Sequence, residues 1–154
     1  TATTEIYTLS LTTLFRSYGG LFLKKIFLSL LIVSISLFAS IKNENASMEL
    51  LDSGTPIVDI RTPGEWKETG LLKGAIPIML FDEKGNYDLR VFLDKLNKAV
   101  DTKKPFAIIC RTGSRTRILA QFLSAKLNYD VINLKNGMVY AKHMKLPILP
   151  YKPN

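Results

Sequence analysis

The stretch "FAIICRTGSRTR", residues 106–117, carries the residues of this chain best suited to chemistry, and Cys110 within it is the only cysteine. A single cysteine excludes an intrachain disulfide and any multi-cysteine metal centre. A thiol reacts as its thiolate, and a thiolate needs neighbours that stabilise negative charge. Three kinds follow Cys110 directly. Gly113 lets the loop curl with its amides turned inward, as an anion nest. A helix opening near Ser114 adds free N–H groups and the positive end of its dipole. Arg111 and Arg115 add cationic side chains. The spacing therefore describes a covalent nucleophile in an anion-binding loop. Cys110 is the candidate catalytic residue, and Arg111, Thr112, Gly113, Ser114, Arg115 and Thr116 are the candidate substrate-binding residues. His143 is the only histidine and has no ligand partners in the sequence, so no metal or cofactor is expected.

Such a loop needs a rigid frame. "FAIIC" is apolar throughout, as suits a strand covered on both faces. "SRTRILAQFLSAKLNYD" reads as the helix after it, stopping at Asn128 in a left-handed conformation. Upstream, "TPIVDI" is a strand, and Thr62, Pro63 and Glu65 in "RTPGEWKETG" form an N-cap, a first-turn proline and a capping box before Gly70. "GAIPIML" is a short strand weakened by Pro77. "LRVFLDKLNKAV" places Leu89, Phe92, Leu93, Leu96 and Val100 on one helical face. Ser47 caps a short helix in "ASMELLDSG", "VINL" is a last strand, and "NGMVYAKHM" is a turn and short helix. Strand and helix alternate, which predicts an α/β fold with a central parallel sheet and helices on both faces. Ligands bind beyond the carboxyl ends of the strands in such sheets, where Cys110 stands. Asp59 and Arg61 end a strand and are expected to pair or to bond nearby backbone; Trp66 is expected in the core.

The 154 residues include 21 Lys and Arg against 13 Asp and Glu, a formal charge of +8, with 47% hydrophobic residues. That is a globular composition with one core. The basic residues alternate with acids and form no long block, which argues against nucleic acid and leaves small anions as the charged partners. Lys24 and Lys25 precede the apolar run "IFLSLLIVSISLFAS", and the chain then turns polar. A charged start, an apolar stretch of this length and a small-residue exit describe a signal peptide over residues 23–40, cut after Ala39 or Ser40. An uncleaved membrane anchor is the second reading, and would bring the only membrane contact expected. Residues 1–22, with no methionine before Met48, read as upstream translated sequence or as part of the n-region of the signal. Export to the periplasm or beyond follows from the signal.

Three stretches in order, "IVDIRTPGEWKETGLLKGA", "CRTGSRT" and "INLKNGM…LPI", resemble the successive signatures of a single-domain rhodanese, over residues 46–150. The resemblance implies a sulfurtransferase fold. It also implies that Cys110 takes a sulfane sulfur from a thiosulfate- or polysulfide-like donor and becomes a persulfide. The sulfur then passes to a thiol or cyanide-like acceptor, or to a protein acceptor. Leu71 stands where the family usually has histidine, Asn136 and Gly137 where it has paired glycines, and Ala141 where tryptophan is common. A carrier or sensor that loads sulfur without turnover is the alternative. Cysteine-dependent phosphatases share the architecture but space Cys and Arg as C-x5-R; here Arg115 gives C-x4-R, a smaller ring that suits one sulfur atom.

Overall fold

A computed structural model describes residues 40–153. The segments read as upstream sequence and as signal or anchor, up to residue 39, lie outside them. The first half of the described chain runs β1 (Ile41–Glu44), α1 (Met48–Asp52), β2 (Ile57–Asp59), α2 (Pro63–Thr69), β3 (Leu71–Leu72) and β4 (Ala75–Pro77). The second half runs α3 (Leu89–Ala99), β5 (Phe106–Ile109), α4 (Ser114–Leu127), β6 (Val131–Leu134), α5 (Gly137–His143) and β7 (Ile148–Leu149). The main sheet has the order β1-β6-β5-β2-β4 with every pairing parallel. β4 with its Pro77 is an edge strand, where a missing N–H leaves no ladder bond unmade.

Side chains alternate across a strand, so β5 serves two cores at once. Phe106 and Ile108 join Val58, Phe92, Leu96, Leu119 and Leu123 under α3 and α4. Ala107 and Ile109 join Leu50, Leu134, Met138 and Ala141 under α1 and α5. All four residues of β5 are fully covered, which explains its unbroken apolar run. Burial of a side chain such as Phe106 or Ile108 contributes about 1.5–3 kcal/mol.

The turn after β2 is built as its residues suggest. The Thr62 hydroxyl accepts from the Glu65 N–H at 3.2 Å, and the Glu65 carboxylate accepts from the Thr62 N–H at 3.0 Å. Ahead of that cap, Arg61 and Asp59 form a buried ion pair, 1% and 0% exposed. Arg61 Nε lies 2.9 Å from Asp59 Oδ1, Nη2 lies 2.7 Å from Oδ2 and also 2.7 Å from the Gly70 carbonyl, and Nη1 donates to Thr69. Each guanidinium nitrogen is thus satisfied, as a buried charge requires. Arg61, the residue before the N-cap of α2, thus bonds the far end of that helix at Thr69 and Gly70.

Two features lie outside the sequence reading. The sheet begins at Ile41, ahead of the boundary placed at residue 46: β1 pairs along its length with β6, and Ser40 N–H donates to Asp130 Oδ1 at 2.8 Å. A second, two-stranded sheet pairs β3 with β7 antiparallel, Leu71 opposite Leu149. The chain end then continues to Tyr151, whose ring packs on buried Trp66 at 5.3 Å between centroids.

Candidate functional site

Cys110 continues the alternation of β5, in phase with Phe106 and Ile108. Its side chain therefore belongs to the core under α3 and α4, and the residue is fully covered. The chain then turns sharply. Gly113 adopts φ +88, a conformation that side chains disfavour, and a Cβ there would lie 2.8 Å from the Asn136 nitrogen. This turn brings the Gly113 N–H to 3.2 Å from Cys110 Sγ. Thr116, buried on the first turn of α4, puts Oγ1 at 3.8 Å from Sγ and donates to the Gly113 carbonyl at 3.1 Å. Its single hydroxyl hydrogen is thereby committed, so toward a protonated sulfur Thr116 acts as acceptor.

Gly113 is the N-cap of α4 and offers no side-chain oxygen to the helix. The N–H groups of Ser114, Arg115 and Thr116 precede any in-helix acceptor, and none meets a backbone or side-chain acceptor among the described residues. On the far side, the first amides of α5 take the loop carbonyls: Met138 N–H donates to Cys110 O at 2.9 Å and Val139 N–H to Arg111 O at 3.1 Å. In a trans peptide the N–H points opposite to the C=O. The Arg111 and Thr112 amides therefore face away from α5. Gly137 makes this approach close: with φ +52, any Cβ would overlap the Cys110 carbonyl oxygen. Of the glycine pair usual in the family pattern, Gly137 is kept, and it is the one packed against the Cys110 and Arg111 carbonyls.

Arg115, one of the candidate substrate-binding residues, has a partner that the sequence does not show. Its guanidinium stays beside Cys110 and forms a two-pronged pair with Glu65, Nη1 at 2.9 Å from Oε2 and Nη2 at 2.6 Å from Oε1. Burial pushes Glu65 upward, but hydrogen bonds from Arg115 and the Thr62 amide, with the charges of Arg115 and Arg61, outweigh it and hold the carboxyl below its ordinary value of 4.5. The same hydrogen bonds raise Arg115 against the opposing effect of burial, and the nearby Cys110 adds to the rise. Arg115 thus stands between the thiol and α2, its charge matched by Glu65. Glu65, read from sequence only as half of a capping box, is the site residue that reading missed. Its signal was present, since a carboxylate in a capping box needs one bond and can accept several.

The remaining candidates lie on the loop surface. Arg111 is exposed and lines a charged depression with Arg61, Glu65, Glu68 and Lys142. The Thr112 and Ser114 hydroxyls lie 3.1 Å apart at the rim. His143 is exposed at the end of α5, far from the thiol in the chain. Among the described residues no group of three or more His, Cys, Asp or Glu is arranged to hold a metal. The assembled site is one sulfur nucleophile facing a partial ring of backbone donors. Such a ring stabilises a small anion attached to the sulfur.

Comparison with known proteins identifies the family and the fold. The family model of the rhodanese-like domain matches residues 44–142. An uncharacterized protein of Rickettsia prowazekii (strain Madrid E) is 30% identical over 96 residues, spanning 59% of this chain and 75% of the relative. A rhodanese-like domain protein from Staphylococcus aureus superposes with a TM-score of 0.51 at 23% identity, over 70% of this chain and 98% of that one. A rhodanese-related protein from Thermoplasma volcanium gives 0.54 at 18% identity, over 73% and 100%. These two structures share the fold.

Proposed function

The chain belongs to the rhodanese-like domain family, and from that premise we propose that it is an exported sulfurtransferase acting through a persulfide on Cys110. The observation that carries the reading is the Gly113 N–H held at 3.2 Å from Sγ, beside the unpartnered amides at the start of α4. In the first half-reaction Cys110 thiolate attacks the outer sulfur of a thiosulfate-like donor. The S–S bond of the donor breaks and sulfite leaves with the electron pair. The added sulfur carries the negative charge and takes the loop amides as donors, as an oxyanion would. In the second half-reaction a thiolate or cyanide attacks that sulfur and Cys110 leaves as thiolate, which completes a ping-pong cycle. Arg111, exposed beside Lys142, attracts the anionic donor. Export rests on Lys24, Lys25 and the apolar run behind them.

The test is intact mass of the full chain before and after thiosulfate or polysulfide. Wild type gains roughly 32 Da, one sulfur atom, and returns to its starting mass with cyanide, whereas Cys110→Ser gains nothing. Repeated turnover with cyanide assigns an enzyme. A single loading without turnover assigns a carrier, and no mass gain after reducing pretreatment ends the sulfur-transfer reading.

A further inference from the structure

The inference here rests on the transfer reading and names the acceptor that the site takes. An open groove of about 400 Å³ runs beside the loop, and Ser114 and Arg115 belong to both. Leu80 and Leu119 are its buried walls, and both lie in the same core cluster as the Cys110 side chain. Phe81 and Phe122 are half-buried in it, and Tyr87 and Ile118 stand 63% and 65% exposed. The lining is almost wholly carbon. Its one charged side chain is Arg115, whose charge is already matched by Glu65. The depression on the other side of the loop differs in carrying the cations Arg111 and Lys142, set among Glu65, Glu68 and the apolar Met138, Val139 and Ile148.

A ping-pong enzyme meets its two substrates in turn, and these two surfaces sort them by charge. An inorganic sulfur anion gains nothing from a carbon-lined groove, whereas the depression offers it Arg111 and Lys142. The groove approaches Cys110 on the sheet face to which its side chain points. We propose that the groove seats the organic body of a low-molecular-weight apolar thiol, R–SH, and that this thiol is the sulfur acceptor. The thiol loses its proton to solvent, and R–S⁻ attacks the terminal sulfur of the Cys110 persulfide. The new R–S–S bond forms as the Cys110 Sγ–S bond breaks, releasing R–S–S⁻ and Cys110 thiolate without any external oxidant or reductant.

The experiment loads the full chain with thiosulfate and measures discharge of the persulfide by benzyl mercaptan and by 2-mercaptoethanol, thiols of similar acidity. Benzyl mercaptan discharges wild type about tenfold faster or more, the scale of selectivity set by one or two apolar contacts. Ile118→Gln and Tyr87→Ser alter exposed side chains, and each lowers the benzyl-to-hydroxyethyl ratio several-fold toward one. A readout independent of sulfur chemistry is NMR with benzyl alcohol, which shifts the Ile118 and Tyr87 resonances of wild type. Equal discharge by the two thiols in wild type overturns the proposal, as does an unchanged ratio in both variants. Self-association that Ile118→Gln abolishes, with no thiol preference, assigns the groove to a second copy and overturns it too. Failure of the transfer reading is distinct: no persulfide forms at all, and benzyl alcohol binding then reports a groove without an acceptor role.

Discussion

Glu65 and Arg115 are fifty positions apart and meet through two hydrogen bonds, of 2.9 and 2.6 Å, that tie the cap of α2 to the first turn of α4. The cysteine loop is thereby clamped from the α2 side, while the amides of α5 hold its carbonyls from the other. A loop whose donors must lie about 3 Å from a small anion gains from both restraints.

Arg115→Lys cannot reproduce the fork, and Glu65→Gln keeps the cap but loses the charge. Each lowers stability by on the order of 1–2 kcal/mol and slows persulfide formation about tenfold. Because the two side chains act as a unit, the double variant is little worse than either single one. Urea midpoints and single-turnover loading rates measure both effects; full additivity would show that the pair is not a clamp. The pH dependence has a definite sign. With its folded value below the ordinary 4.5, Glu65 contributes stability that is present above that pH and is lost as pH falls through the folded value. The acid limb of the wild-type stability profile is accordingly shallower in Glu65→Gln.

Gly137→Ala places a methyl group against the Cys110 and Arg111 carbonyls at a positive φ. We expect a loss of about 2–4 kcal/mol together with collapse of sulfur transfer. Gly85→Ala has φ +83 but nothing within 4 Å of the added carbon. It costs only about 1–2 kcal/mol, with transfer retained. Thermal unfolding and cyanide turnover of the two variants separate backbone strain from loop displacement, and similar transfer rates would refute the role given to Gly137.

Asp59→Ala leaves Arg61 charged and buried without its partner, and about 3–5 kcal/mol of stability goes with it. The exposed pair Lys98–Asp94 offers the contrast: Asp94→Ala costs at most about 0.5 kcal/mol. Denaturant midpoints of the two variants compare them directly. A cost for Asp59→Ala as small as that for Asp94→Ala would mean that Arg61 is held by Thr69 and Gly70 alone.

Arg111→Ala weakens capture of thiosulfate without disturbing the clamp, since the Arg111 side chain is exposed and its carbonyl is what α5 holds. Its deficit in loading at low donor concentration shrinks as salt is raised, because exposed charges are screened. A salt-independent deficit would mean that Arg111 acts through loop structure.

Local signals were the legible ones. The capping box of Thr62 and Glu65, the left-handed stop at Asn128 and the phase of Leu89, Phe92, Leu96 and Val100 each depend on neighbours a few positions away. So did the loop around Cys110, because a strand, a glycine and a helix start are consecutive. What stayed hidden is pairing at a distance. "IKNE" has no alternation that marks a strand and becomes β1 only because the edge of β6 is there to pair with it. β3 and β7 are two residues each, too short for any pattern. Arg115 was visible as a cation near the thiol, but its partner fifty positions away was not.

All strands of the main sheet run the same way, and β1 is the first of them. The chain therefore enters the sheet at the pole where parallel strands begin, at Ser40, whose carbonyl accepts from Val131 N–H at 3.0 Å. Cys110 follows the last residue of β5 and sits at the pole where they finish. A label attached at Ser40 and one attached at Cys110 therefore sit at opposite ends of the same parallel strands, far apart within one small domain.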